Sequence, residues 1–214
     1  SLSEVAMIED AARRANKSLF ATWHSRFACG VAPARDWLLD RTVQAVSIRW
    51  REDVRKWHPG QAWIWEPGGL GVFDPGINAL SIATYILPRP IRLEAARLVY
   101  PTNRQAPIAA ELSLRDAAGS PVHMDLDWRQ EGPQSWDIEV ETDAGLLALA
   151  NGGSSIAFPG EQRRDFPDNE YPELYAHFAA LVRNGRSDVD IAPFRLVADA
   201  FLFGRREETE AFFD

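Results

Sequence analysis

Cysteine is nearly absent: Cys29 stands alone in 214 residues. That excludes an internal disulfide framework and any cysteine-rich metal site, and it fits a reducing cytoplasm, the expected location. No apolar run approaches the roughly 18 residues that a membrane-spanning helix needs. Residues 1–17 carry acids and lack an apolar signal core. No lysine or arginine run offsets an excess of 31 acidic over 23 basic residues, a net charge of −8. Such a chain repels a polyanion, so neither nucleic acid nor a membrane is an expected partner. The four histidines, His24, His58, His123 and His177, share no metal-ligand spacing, and no metal is expected. There is no Gly-x-Ser-x-Gly nucleophile elbow. The single glycine cluster, GGLGVFDPG over 68–76, fails as a dinucleotide loop, because Asp74 holds the third glycine position and no strand precedes it.

What is present is ordinary globular material, 46% hydrophobic and 25% charged. At about 150 residues per domain the length corresponds to roughly 1.4 domains. A chain of this size buries about 70% of its extended surface on folding. Ser3 can cap a first helix whose apolar face runs Val5, Ile8, Ala12 and Ala15. The apolar run SLFATW (18–23) has strand length, and a second helix is expected over 31–39, with Pro33 in its first turn. From Thr42 the period changes to two: Val46, Ile48, Trp50 and Glu52 share one face, and Ser47, Arg49, Arg51 and Asp53 the other. Residues 57–71 read as irregular, and a helix over 74–87 is stopped by Pro88 and Pro90. PVHMDLDW and SWDIEVET then alternate cleanly between the turn signals DAAGS and DAG, as in an antiparallel meander with one wet face. Helices over 171–183 and 192–203 close the chain. The expected class is α+β: a large, mostly antiparallel open sheet with helices packed on one face.

Chemistry concentrates in residues 50–81, which hold four of the 8 tryptophans: Trp50, Trp57, Trp63 and Trp65. Flat indole faces suit the C–H faces of a pyranose, and carboxylate, imidazole and amide groups suit its hydroxyls. The same tryptophans also serve as filling between sheet and helix, the commoner role for any one of them. His58 follows Trp57 in a loop, and loops carry sites. Glu52 extends an apolar strand face and points either into an enclosed space or into solvent at the strand end. Asp74 and Asn78 stand one helical turn apart on a common face. Asp74 before Pro75 also has the form of a helix N-cap with proline at the first helical position, and the residues alone favour the cap.

GGLGVFDPGINALS resembles the Gly-Gly…Asp-x-Gly-x-His helix of the Gfo/Idh/MocA oxidoreductase family, with Asn78 where most members carry histidine. Together with ATWHSR, WREDVRKWHPG and VADAFLFGRR it is similar to the branch of D-galactose 1-dehydrogenases and L-arabinose 1-dehydrogenases. The resemblance implies an aldopyranose oxidised at its anomeric carbon to the lactone, with NAD or NADP as cofactor. A monosaccharide is the implied substrate, and homo-oligomerisation through the open sheet the implied assembly. Family members carry a Rossmann domain whose Glu-Lys-Pro motif supplies a catalytic lysine, and this chain has no such tripeptide. Residues 1–23 then correspond to the tail of that domain and 24–214 to the substrate-binding and oligomerisation domain. On this reading the cofactor-binding residues lie in the absent part, and the fragment alone is inactive. By position, Asp74 and Asn78 correspond to the catalytic pair at the anomeric hydroxyl. His24, Glu52, Trp57, His58 and Trp136 correspond to the sugar-pocket lining. The resemblance thus turns Asp74 from cap to site. An amide does not titrate, so Asn78 can orient a hydroxyl but cannot take its proton. Two other classes share this architecture: a non-enzymatic sugar-sensing or regulatory module of the same fold, and a purely structural oligomerisation domain, which would not need Glu52, His58 and Asp74 to converge.

Overall fold

A computed structural model describes residues 1–213. In chain order the elements are α1 (Leu2–Arg14), a 3₁₀ turn (His24–Phe27), α2 (Val31–Leu38), β1 (Val43–Arg51), α3 (Val54–Trp57), a second 3₁₀ turn (Ala62–Trp65) and α4 (Phe73–Ile86). There follow β2 (Ile91–Pro101), β3 (Ala109–Asp116), β4 (Pro121–Asp127), β5 (Ser135–Thr142), β6 (Gly145–Ala150), β7 (Ser155–Ala157) and β8 (Arg164–Asp165). The chain closes with α5 (Glu170–Arg183), α6 (Ala192–Phe203) and β9 (Arg205–Thr209). The nine strands form one sheet in the order β8-β7-β6-β5-β1-β4-β3-β2-β9. Pairing is antiparallel except at β1–β4 and β2–β9. The class is α+β, as the strand patterning implies.

Alternation explains which face is covered. Val46, Ile48 and Trp50 of β1, Val122, Met124 and Leu126 of β4, and Ile138 and Val140 of β5 are buried beneath the helices. Each such large apolar side chain stabilises the fold by about 1.5–3 kcal/mol. The opposite face carries charge, with Arg51 paired to Asp125 and Arg97 to Glu111 and Glu207. Across α4, ten of 14 residues are buried, so this helix runs through the core rather than along its surface. Its half-buried stripe includes Asp74 and Asn78.

α4 lies close to the sheet because of Gly76. A Cβ placed there would stand 2.6 Å from Leu126 Cδ1 of β4, inside any normal contact. The glycine therefore sets how near the helix, with Asp74 two residues earlier, comes to the ends of β1 and β4.

Several expectations are corrected. The first helix is capped by Ser1, not Ser3, in a capping box with Glu4. None of its residues is buried: Met7 and Ile8 are 70% and 54% exposed, since α1 packs only lightly, against α6. The run 18–23 makes a single bridge, Phe20 to Asp188, because only one residue of a loop runs alongside it. Residues 57–71 are not wholly irregular, holding the end of α3 and the 3₁₀ turn Ala62–Trp65. The meander is interrupted: β4 and β5 do not pair, since β1 lies between them, parallel to one and antiparallel to the other. The connection over 128–134 is long enough to step across one strand, and the fully apolar inner face of β1 belongs in the middle of a sheet. α4 begins at Phe73 after Val72, which places Asp74 inside the first turn and leaves it no capping role.

Gly76→Ala is expected to destabilise the protein by about 1–3 kcal/mol through overpacking against Leu126. A urea midpoint equal to that of the wild type would contradict this role for the glycine.

Candidate active site

The site grows from the end of β1. One step past Trp50 on the buried face, the period of two carries Glu52 inward, with its side chain only 6% exposed. Its backbone continues the sheet, Glu52 N–H donating to Asp127 O at 3.0 Å and Gln130 N–H donating to Glu52 O at 3.2 Å. Asp53 then caps α3 by accepting from Arg55 N–H at 3.0 Å. One helical turn delivers Trp57 and His58, and His58 N–H closes the turn on Val54 O at 2.8 Å.

The Glu52 carboxylate is met by three N–H donors. Trp136 Nε1 donates to Oε2 at 2.9 Å, Trp128 Nε1 to Oε1 at 3.3 Å, and His58 Nε2 lies 3.3 Å from Oε1. An ionised carboxylate offers about four lone-pair sites, so most of its capacity is spent on the protein. On the other side of the same imidazole, Nδ1 stands 3.6 Å from Asp74 Oδ2. His58 therefore bridges two carboxylates. Its ring also leans on Trp128, with centroids 5.2 Å apart, and Trp57 meets Trp136 edge to face at 5.2 Å.

These groups open into a cleft of about 380 Å³ lined by His24, Glu52, Trp57, His58, Asp74, Pro75 and Asn78. The volume lies near the lower end of the roughly 300–1,000 Å³ typical of small-molecule sites. Six of the seven residues singled out from the sequence line this one cleft. The seventh, Trp136, stands behind Glu52 and lines a neighbouring hollow of about 310 Å³. His123 is exposed on the charged face of β4, and His177 pairs with Asp188 at 2.8 Å, away from the cleft.

Electrostatics follow from this arrangement. The hydrogen bond to Glu52 is the main reason that the His58 pKa is raised above the ordinary imidazole value, with burial opposing it and Asp74 assisting. Burial is the main cause of the upward shift at Asp74, relieved by His58 and reinforced by Glu52. Both groups hold a proton more readily than they would in water.

A solved D-galactose-1-dehydrogenase from Rhizobium etli superposes on the whole chain with a TM-score of 0.95 at 54% identity, and the chain covers 68% of it. A galactose 1-dehydrogenase from Pseudomonas fluorescens is 48% identical over 188 residues, 88% of this chain. The chain spans 62% of that curated relative's length. The chain belongs to the galactose 1-dehydrogenase branch of the Gfo/Idh/MocA family. A 3-ketoreductase from Actinomadura kijaniata, solved with NADP and TDP-benzene, shares the fold alone, with a TM-score of 0.76 at 14% identity over 95% of this chain and 68% of its own. No family model matches the chain.

For a member of this family the glycine cluster invites the question of whether it cradles a dinucleotide. It does not. A Cβ at Gly69 would strike the backbone of Trp63 and Ile64, and one at Gly71 the backbone of Pro107. Gly69 and Gly71 are spent on letting chain segments touch, the cluster follows a 3₁₀ turn rather than a strand, and Asp74 puts a carboxylate in the first turn of the helix, where a pyrophosphate would lie. The described residues of this cluster therefore do not fit the phosphate-binding part of such a cofactor.

Three contributors were not singled out from the sequence. Trp128 was read as one more alternating core residue, and only its indole N–H reveals its part in holding Glu52. Glu170, in the first turn of α5, meets His24 Nδ1 at 2.6 Å. Gln134 accepts from both Asp53 N–H and Trp57 Nε1, at 2.7 and 3.3 Å. No local signal marks these, because each partner lies far along the chain.

Glu52→Ala is expected to cost roughly 2–5 kcal/mol, since it strands the Trp128 and Trp136 donors in the interior. Glu52→Gln, which keeps an acceptor, should cost less, and chemical denaturation followed by tryptophan fluorescence compares the two. The pH dependence has a definite sign. His58 binds its proton more tightly folded than unfolded, so its stabilisation is complete below the ordinary value of 6.5 and fades as pH rises through the raised folded value. In His58→Gln this decline should vanish from stability measured across that window.

Proposed function

We propose that this chain is the sugar-binding part of an NAD(P)-dependent aldose 1-dehydrogenase, acting on an aldopyranose of the D-galactose or L-arabinose type to give the lactone. The observation that carries the reading is the pair Asp74 and Asn78, one turn apart on α4, facing the same cleft as two imidazoles and an indole. The likeness to the galactose 1-dehydrogenases of Pseudomonas fluorescens and Rhizobium etli supports it.

A nicotinamide, when bound, supplies the acceptor for the hydride of the anomeric carbon. The chain's own residues place the sugar and handle its proton. Asp74, half-buried, receives the proton of the anomeric hydroxyl. Asn78 orients that hydroxyl through its amide, which has no titrating group of its own. His24, held by Glu170, presents its free ring nitrogen to another hydroxyl, and Trp57 gives an apolar wall. A pocket built to pair with hydroxyls rejects analogues that lack them.

In the proposed arrangement residues 24–214 form the substrate-binding domain, and 1–23 belong structurally to a nucleotide-binding unit that holds the cofactor. The misfit of the glycine cluster to a dinucleotide and the 62% coverage of the curated relative support that division. The open, charged face of the sheet is the proposed contact between copies, and the cytoplasm, where Cys29 stays reduced, is the proposed compartment.

In an enzyme carrying both parts, Asp74→Asn is expected to lower kcat/KM for D-galactose by about 10²–10⁴-fold, the range for loss of a positioned acid–base group. Sugar affinity should change little. Turnover of both galactose and arabinose at the wild-type rate would refute the assignment.

A further inference from the structure

Glu52 is an unusual candidate for reading sugar hydroxyls. It is the most enclosed charged group of the cleft, and both its oxygens already accept from Trp128, Trp136 and His58. Its geometry suits a different task, holding an imidazole in one orientation. With Nε2–H committed to Glu52, the neutral ring turns the lone pair of Nδ1 toward Asp74, 3.6 Å away. That separation is just beyond a hydrogen bond, and contacts between catalytic groups commonly tighten in the substrate complex.

We propose that His58, held by the buried Glu52, is the proton acceptor behind Asp74, so that the proton leaving the sugar hydroxyl passes over Asp74 to the His58 imidazole. The inference rests on the dehydrogenase reading and reassigns Glu52 and His58 from sugar contacts to proton handling. Glu52 is then a positioning residue and Asp74 the group that touches substrate.

The step balances. A nicotinamide, when bound, would take the C–H hydride; on the side of this chain's residues the anomeric O–H bond breaks and C=O forms. The proton goes to the Asp74 carboxylate and then to Nδ1, while Nε2–H stays with Glu52. The trio passes from two negative charges beside a neutral ring to an imidazolium between two carboxylates, a net change from −2 to −1. An imidazolium so placed has a carboxylate at each nitrogen, Glu52 at Nε2 and Asp74 at Nδ1.

The groups around His58 agree with this direction of transfer. Glu52 faces it from the end of β1 and Asp74 from α4. Gln61 assists from the following loop, and the Trp128 ring is uncharged. The cations of α3 are engaged elsewhere: Arg55 pairs with Asp53 and Glu131, and Lys56 lies over the Trp57 ring. His24 lines the same cleft, its Nδ1 taken by Glu170.

Two measurements test the proposal. In the first, histidine ring resonances of the protein are followed by NMR against pH, with His58→Gln giving the assignment. The expected result is a His58 midpoint above 6.5, lowered by Glu52→Gln and by Asp74→Asn. A midpoint at or below 6.5 in the wild type, or one that neither variant moves, overturns the coupling. If Glu52→Gln does not fold, the wild type and Asp74→Asn decide. In the second, kcat and KM for D-galactose are measured against pH in the enzyme with both parts. His58→Gln should lower kcat by about 10²–10⁴-fold with KM for the sugar within about threefold. It should also move the acid limb of kcat/KM into the carboxylate range, and Glu52→Gln should move that limb to lower pH. A His58→Gln enzyme with raised KM and intact kcat would make His58 a sugar contact and overturn the relay. Failure of the wild-type enzyme to oxidise any aldose would instead remove the dehydrogenase reading, and the NMR titration would still report on the trio.

Discussion

A carboxylate enclosed at the end of a central strand is the constraint around which the cleft is organised. Unpaired, Glu52 would not tolerate its burial, since an isolated interior charge neutralises or forces the structure open. Two indole N–H groups and an imidazole keep it in place, and in doing so they fix their own rings. The aromatic wall and the charged interior of the site are thus one assembly. Trp128 and Trp136 pack as apolar bodies and donate as polar tips, a dual character that few other side chains combine.

That assembly meets α4 only because the helix approaches the sheet closely. A core helix with ten buried residues presents a narrow stripe, and on it Asp74 and Asn78 are one turn apart. Gly76, on the opposite side of the same turn, permits the approach to Leu126. Packing and chemistry therefore share a single helical turn: one face fits the sheet and the other faces the cleft. The pattern DPGIN reads as a cap only until the helix start at Phe73 is known.

Much of the fold was legible because it rests on local periodicity. β1, β4 and β5 announce their buried faces by strict alternation, and α5 by a helical run stopped at Gly185. The step of two that buries Val46, Ile48 and Trp50 also puts Glu52 on that face, but at a strand end alternation alone does not separate an enclosed carboxylate from a solvated one. What surrounds it was not legible either. Trp128 and Trp136 reach Glu52 across 76 and 84 residues of chain, and Glu170 reaches His24 across 146. Such partners depend on strand order, and strand order is set by the whole sheet. For the same reason β1 was not foreseen between β4 and β5. The run 18–23 shows the converse error, strand-like composition without a strand to pair with.

The position of β1 has a consequence for how the molecule comes into being. Both its neighbours, β4 and β5, are encoded far downstream, beyond α4 and two intervening strands. While the polypeptide is being synthesised, this strand has neither edge fully occupied until residue 127 and then 142 have emerged. Pairings of such long sequence separation form slowly, and exposed edges in the interval invite association with other chains. The cleft is accordingly a late product of maturation, and its completion coincides with the closing of the sheet at its centre.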